Sequence, residues 1–193
     1  MNEELIQKAM AMFNTPEKWV AFTDLVDKQN VFQERWWKNL QAEVYQRETQ
    51  TGNPDWDIKI WGNWDIKWFI RGENENSLAI HFWADFFRIF SNYGFLDTEK
   101  VNKLIEDQRF NIIKTSFDRI DGSDWATIGW EIRNFSFGTD YDGKFPHHRI
   151  LSWYAGNRTK EFADQLIAKV RKFQTPEITA LFKEINKECI KNN

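Results

Sequence analysis

The sequence predicts an α+β fold with a mostly antiparallel sheet of four or five strands, packed by helices from the N-terminal, central and C-terminal parts of the chain. Apolar residues recur at helical spacing at both ends of the 193-residue chain, and between them the period changes to two. The order is three helices, three strands, a helix, one or two strands and two helices, which is typical of the α+β class. No internal boundary is evident, so residues 1–193 are predicted to form a single domain.

The N-terminal part of the chain is predicted to form three helices. Residues 2–13 carry apolar residues at helical spacing. Thr15-Pro16-Glu17 is a helix start, because threonine is a good N-cap, proline suits the first turn and glutamate offsets the helix dipole. A third helix is predicted over residues 31–48, with apolar residues spaced by four.

Alternating apolar residues predict the strands. A hairpin is predicted over residues 55–71, followed by strands near 78–83 and 125–137, with residues 149–154 as an optional further strand. The end of the strand at 78–83 is not defined by the pattern, because more apolar residues follow closely. A central helix is predicted from Asp97 or Thr98 to Ile112, and two helices close the chain. The second of these opens with Thr175-Pro176-Glu177, the same start signal as at residues 15–17.

The composition favours a protein as the binding partner over nucleic acid. The net charge is −3 and basic residues form no long run, whereas non-specific nucleic-acid binding needs a clustered positive patch. The chain has 17 Phe, 11 Trp and 4 Tyr. Most of these aromatic side chains are expected in the core, and exposed ones would be contact residues for a partner or ligand.

The chain is predicted to be cytoplasmic and not to enter a membrane, because it lacks a signal-type start and a long apolar run. The single Cys189 agrees with a reducing compartment and is expected to be a packing residue. His81 lies in an apolar strand and is expected to be a core histidine with satisfied hydrogen bonds. The sequence has no Gly-rich phosphate loop and no nucleophile elbow, so no cofactor is predicted outside the nuclease hypothesis below.

The most informative segment is a tetrapeptide that occurs twice, as Trp56-Asp57-Ile58-Lys59 and as Trp64-Asp65-Ile66-Lys67. A hairpin with the three-residue loop Trp61-Gly62-Asn63 would have one apolar face, with Ile60 opposite Trp64, Ile58 opposite Ile66 and Trp56 opposite Trp68. The other face would pair Lys59 with Asp65 and Asp57 with Lys67, at about 0.2–1 kcal/mol per pair. This register predicts a structural role for the repeat.

The same strands contain the elements of a nuclease motif. Pro54-Asp55 followed by Asp65-Ile66-Lys67 resembles the bacterial nuclease superfamily named for Pro-Asp…(Asp/Glu)-x-Lys. The resemblance implies that Asp55 and Asp65 hold Mg²⁺ and that Lys67 positions or activates water. A metal-dependent nuclease is therefore an alternative, although the predicted charge pairs already account for Asp65 and Lys67.

From residue 56 to about 182 the order of features resembles a second family. The features are the Trp-rich hairpin, the strand Leu78–Trp83, a helix with Leu104-Ile105-Glu106, the strand Ile128-Gly129-Trp130-Glu131-Ile132 and the helix Phe162–Phe173. They are similar to a bacterial domain-of-unknown-function family that often follows restriction-nuclease-like modules. That family has no assigned catalytic residues, so the resemblance implies an accessory or binding role in bacterial or phage defence.

The leading hypothesis from the sequence is a non-catalytic binding or accessory protein whose partner is a protein. The predicted contact residues are Trp61, Trp64 and Trp68, with Trp61 at the hairpin tip as the most exposed. A small-ligand module with a tryptophan-lined pocket is the second alternative beside the nuclease.

Overall fold

The structure is a computed structural model that describes residues 3–83, 86–91, 94–114, 119–120, 130–132 and 147–191. Its helices and strands confirm the α+β class. The chain begins with three helices, α1 (Glu3–Met12), α2 (Pro16–Asp27) and α3 (Gln29–Thr51). The start signal of α2 is formed as predicted, because the Thr15 hydroxyl oxygen accepts a hydrogen bond from the Lys18 N–H and Pro16 lies in the first turn.

Six described strands form one antiparallel sheet in the order β1-β2-β3-β4-β6-β5. They are β1 (Trp56–Trp61), β2 (Asp65–Ile70), β3 (Ala79–Trp83), β4 (Phe86–Phe90), β5 (Arg119–Ile120) and β6 (Trp130–Ile132). The sheet exceeds the predicted four or five strands because two strands were not predicted. These are β4, which pairs with β3 from Trp83 and Phe86 onward, and β5, which pairs with β6. The remainder of the predicted strand at 125–137 lies outside the described residues.

The predicted central helix is divided into short pieces. These are α4 (Thr98–Leu104), a 3-10 turn over Gln108–Phe110 and α5 (Asn111–Lys114). Asp97 caps α4 with its side chain, as the predicted start implies. The division follows from Asp107, whose carboxylate accepts a hydrogen bond from the Arg109 N–H at 2.9 Å and so starts a new turn.

Residues 149–154 lie within the helix α6 (His147–Asn157), so the prediction of an optional strand there is wrong. The buried residues Leu151, Tyr154 and Ala155 follow helical spacing. Gly156 brings α6 close to α3, because a Cβ atom at this position would lie 2.3 Å from Cδ1 of Trp36. The helical conformation of α6 is thus accompanied by contact with α3. The alternation within residues 149–154 could not show this contact, because α3 is distant in sequence.

Two further helices close the described chain, α7 (Thr159–Phe173) and α8 (Pro176–Cys189), in agreement with the prediction. The Thr175 hydroxyl oxygen caps α8 by accepting a hydrogen bond from the Ile178 N–H at 3.2 Å. Cys189 is buried as a packing residue, and burial raises the pKa of its thiol.

The core lies between one face of the sheet and the helices α3, α7 and α8. The strand β2 contributes the buried residues Ile66, Trp68 and Ile70. Trp37 of α3 contacts both Phe82 and Phe162, with ring centroids 6.0 Å apart in each pair. The arrangement confirms that β1 and β2 have one apolar face, as the alternation predicts.

The register of the hairpin differs from the predicted one. Ile60 lies opposite Ile66, Ile58 opposite Trp68 and Trp56 opposite Ile70, while Lys59 lies opposite Lys67 and Asp57 opposite Phe69. The predicted opposite-charge pairs, Lys59 with Asp65 and Asp57 with Lys67, are therefore wrong. The apolar face is retained because the register is displaced by an even number of residues.

The displacement originates in the loop, which is Gly62-Asn63-Trp64 instead of Trp61-Gly62-Asn63. Gly62 has a φ of +70° and reverses the chain at the first loop position, a conformation that glycine adopts without steric cost. The charged side chains then find other partners. Asp57 pairs with Arg71, and Lys59 pairs with Glu75 in the turn that connects β2 to β3.

Candidate functional site

The structure does not bring together the three residues of the nuclease motif. The carbonyl of Asp55 accepts a hydrogen bond from the Arg71 N–H at the far end of the hairpin, whereas Asp65 lies opposite Trp61 next to the tip. The two aspartates are thus separated by about six residues along the strands, or roughly 20 Å. Asp55 is exposed, and its closest cation is Lys183 at 3.9 Å.

Asp65 and Lys67 belong instead to a polar row that crosses the sheet. The backbone register places Lys67 opposite His81 and His81 opposite Arg88, and it continues through further charged residues at both ends, Lys59, Glu131 and Arg119. Lys67, His81 and Arg88 are all buried. We call these three residues and Asp65 the polar row.

Hydrogen bonds define the protonation of His81. Its Nδ1 accepts a hydrogen bond from Nε of Arg88 at 2.8 Å, and its Nε2 lies 3.0 Å from a carboxylate oxygen of Asp65. Since Arg88 is a donor at Nδ1, the proton of the neutral ring is on Nε2 and is donated to Asp65. His81 is therefore a core histidine with satisfied hydrogen bonds, which confirms the prediction for this residue.

Burial and neighbouring positive charges disfavour the charged forms of Lys67 and His81 in the polar row. Burial lowers the pKa of Lys67 to about 8, helped by the positive charges of Lys59 and Arg88, while Glu75 acts in the opposite direction. The Lys67 ammonium donates a hydrogen bond to the carbonyl of Glu75 at 2.5 Å. Burial also lowers the pKa of His81, which keeps the ring neutral. The row consequently joins neighbouring strands through three buried side chains and the partly buried Asp65.

The predicted contact tryptophans have three different environments. Trp61 is 39% exposed, with the Lys67 ammonium 5.0 Å from its ring centroid. Trp64 is half-buried against Trp37, at 5.9 Å between ring centroids. Trp68 is fully buried and donates its indole N–H to Glu48, so the prediction that it contacts a partner from the surface is wrong.

Trp83 and Arg88 are further residues of this surface that the sequence did not predict. Trp83 is 40% exposed, and the guanidinium of Arg88 lies 5.2 Å from its ring centroid. Trp83 lies on the other side of Asp65 from Trp61 in the sheet register. Recognising residues 86–90 as a strand could have identified them, because the pairing of β4 with β3 places Arg88 beside His81.

A second surface, also missed, is the N-terminal arm, which we define as α1 and α2. Neither helix has a buried residue. Three aromatic residues, Phe13, Trp19 and Phe22, hold the two helices together, and the ring centroids of Phe13 and Phe22 are 4.2 Å apart. The arm is thus internally packed while its outer surface stays exposed.

An apolar groove of about 690 Å³ lies between α2, α3 and α6, and we call it the arm groove. Its apolar lining includes Phe22, Leu25, Val26, Phe32, Trp36 and Trp153. The sequence did contain a signal for this surface. Adjacent apolar pairs, Trp19-Val20 and Leu25-Val26, point in different directions on a helix, so a single core-facing stripe cannot bury them all.

A smaller cavity of about 210 Å³ lies at the C-terminal end of α8, and we call it the α8 cavity. One wall is the turn over residues 73–77. Another part of the lining is formed by Phe95 and Ile190, next to the isolated antiparallel bridge between Leu96 and Ile190. Residues that line the cavity are Glu73, Asn74, Ser77, Phe95, Asn186, Lys187 and Ile190.

Comparisons with known proteins identify no relative: no family model, no curated protein and no solved structure matches the chain. Across the described ranges, histidine, cysteine and carboxylate side chains form no group of three or more that could hold a metal ion. Within the same residues, no helix is long and apolar enough to span a membrane.

Proposed function

We propose that this chain is a non-catalytic binding protein whose N-terminal arm is a protein–protein interface, and that the partner bound there is a second copy of the chain. The observation that carries the proposal is the complete lack of buried residues in α1 and α2. Met10 is 69% exposed and Leu25 is 55% exposed, although both are large apolar side chains. Burial of such side chains in an interface would be strongly favourable.

The size of the exposed apolar surface supports an interface. The large apolar side chains that are exposed on the arm and at the start of α3 are Leu5, Met10, Met12, Trp19, Val20, Leu25, Val26, Val31 and Phe32. Summed over these residues, the exposed surface is on the order of 900 Å², which is comparable with the roughly 800 Å² that one partner contributes to a standard interface.

The arrangement of this surface favours a second copy as the partner. The chain presents both an exposed apolar arm and the arm groove of about 690 Å³, which α2 helps to line. A two-fold symmetric contact needs only one self-complementary patch, and such dimers are the commonest oligomers. The arm of one copy can therefore lie in the arm groove of the other, as an amphipathic helix lies in a hydrophobic groove.

The alternatives from the sequence receive less support. The separation of Asp55 from Asp65 gives no support to a metal-dependent nuclease, and Lys67 donates to the backbone carbonyl of Glu75 in the turn that connects β2 to β3. An accessory role in bacterial or phage defence is part of the proposal only by analogy with the family that the sequence resembles.

Light scattering coupled to size-exclusion chromatography tests the proposal. The wild-type chain should elute with the mass of a dimer, and Leu25→Asp should shift it to the mass of a monomer, because a charge would be buried in the interface. Tyr45→Asp is the matched control, since Tyr45 is similarly exposed (45%) but lies on α3 far from the arm. A wild-type chain that stays monomeric up to high concentration, or a dimer that tolerates Leu25→Asp, would overturn the proposal.

A further inference from the structure

The α8 cavity contains a buried hydroxyl group that has no hydrogen-bond partner among the described residues. Ser77 is only 1% exposed and lines the cavity, yet its Oγ makes no hydrogen bond within the described part of the chain. Buried hydroxyl groups are nearly always hydrogen-bonded, and exceptions call for an explanation. The neighbouring Asn186 is engaged elsewhere, since its Oδ1 accepts from the Leu78 N–H and its Nδ2 donates to Glu73.

The charge distribution around the cavity favours a cation. The Glu73 carboxylate lines the cavity, and the cavity lies at the C-terminal end of α8, where the helix dipole is negative. Burial raises the pKa of Glu73, more than the hydrogen bond from Asn186 and the charge of Lys183 lower it. Lys187 is the basic residue in the lining, and its ammonium lies 3.5 Å from the carboxylate of Glu188.

The volume and the apolar wall favour an organic ligand over a single ion or water. A water molecule takes about 30 Å³ in the liquid, so a cavity of about 210 Å³ has room for a ligand of several heavy atoms. Phe95 and Ile190 contribute apolar surface to the lining. A short carbon chain would bury this surface, while one polar end would reach the acidic part of the cavity.

We propose that the α8 cavity binds a small molecule with a primary ammonium group on a short apolar chain. The ammonium group donates hydrogen bonds to the Glu73 carboxylate and to Ser77 Oγ, and the chain contacts Phe95 and Ile190. Two sources share this chemistry, an alkylamine and a free amino acid. In an amino acid the carboxylate would also reach Lys187. The site is independent of the arm and does not rest on the proposed dimer.

A titration followed by amide chemical shifts in NMR spectra tests the site. n-Propylammonium and L-norvaline are the two probes, and tetramethylammonium is the matched control, because it carries the same charge but has no N–H to donate. We expect saturable shifts in residues 73–77 and 186–190 with at least one probe and no such shifts with the control. If norvaline binds and Lys187→Met lowers the affinity for norvaline alone, the ligand is an amino acid. If propylammonium binds as well as norvaline or better, the ligand is an alkylamine.

Two variants locate the binding groups. Ser77→Ala removes no side-chain hydrogen bond that the described residues show, and Glu73→Gln keeps an oxygen that can accept from Asn186. Each substitution should lower the affinity for the probe by about tenfold, as expected for the loss of a hydrogen bond to a charged group. The proposal is overturned if the shifts do not saturate at tens of millimolar, if tetramethylammonium or sodium chloride reproduces them, or if neither variant changes the affinity.

Discussion

The helices α2 and α8 begin with the same sequence signal, but only α8 is buried in the core. Thr15-Pro16-Glu17 and Thr175-Pro176-Glu177 are identical in sequence, and in both helices the threonine hydroxyl accepts a hydrogen bond from the N–H three residues later. The helices are 12 and 14 residues long. Nevertheless α8 has seven buried residues, and α2 has none.

The difference lies in what the rest of the chain offers to each helix. The helix α8 contacts the first strand of the sheet, where Trp56 lies 5.2 Å from Phe182 between ring centroids and donates its indole N–H to Thr179. Among the described elements, α2 makes its main contact with α3, and the ring of Phe13 packs against Phe22 of α2. Local signals thus determine that a helix forms, whereas the tertiary contacts decide whether its apolar side chains become core or interface.

The largest expected effect comes from a matched pair of phenylalanines. Phe22 and Phe182 occupy the same position relative to the two start signals, but only Phe182 is fully buried. Phe182→Ala should lower the free energy of unfolding by about 3–5 kcal/mol, because it leaves a cavity in the core. Phe22→Ala should lower it by about 1 kcal/mol or less, since α2 lies outside the core. Urea denaturation below the concentration of dimerisation measures both, and equal losses would contradict the comparison.

The packed part of the molecule also differs from the arm in containing Lys67, a buried side chain whose charged form is disfavoured by burial. Lys67 has a lowered pKa of about 8, against the model-peptide value of 10.5. Between these two values the unfolded chain binds more protons than the folded chain, so the Lys67 contribution to stability should rise with pH, by up to about 3 kcal/mol. The increase is complete near pH 10.5 and is not expected below about pH 8.

Comparison with Lys67→Met isolates this contribution. The difference in unfolding free energy between wild type and variant should shift in favour of the wild type from pH 8 to pH 10.5, as measured by urea denaturation. Lys59→Met is the control, because Lys59 belongs to the same cross-strand row but is partly exposed. A difference that is independent of pH would show that Lys67 is not penalised in the folded chain.

The smallest expected effect concerns the two N-caps. Thr175→Ala should destabilise the folded chain by about 1 kcal/mol, because α8 is part of the core and its cap stabilises the global fold. Thr15→Ala should leave the midpoint of global unfolding unchanged and instead increase hydrogen exchange in the first turn of α2. A global loss with Thr15→Ala similar to that with Thr175→Ala would mean that the arm unfolds together with the core.

The hairpin shows how far the candidate site could be predicted from the sequence. Alternation correctly identified the apolar face of β1 and β2, because side chains alternate strictly along a strand. It did not identify the charge partners, since the reversal at Gly62 displaces the register and the turn residue Glu75 supplies a partner for Lys59. His81 and Lys67 become neighbours only through the pairing of β2 with β3.

What the sequence by itself determined is therefore local: the helix starts at Thr15 and Thr175, the two-residue period of the hairpin and the α+β order of the elements. These features depend on interactions within a few residues. The tertiary structure alone decided which helices are buried, which charges share a row and where Ser77 and Glu73 meet at the end of α8. Those outcomes depend on contacts between distant segments, and the same local signal can precede either a buried helix or an exposed one.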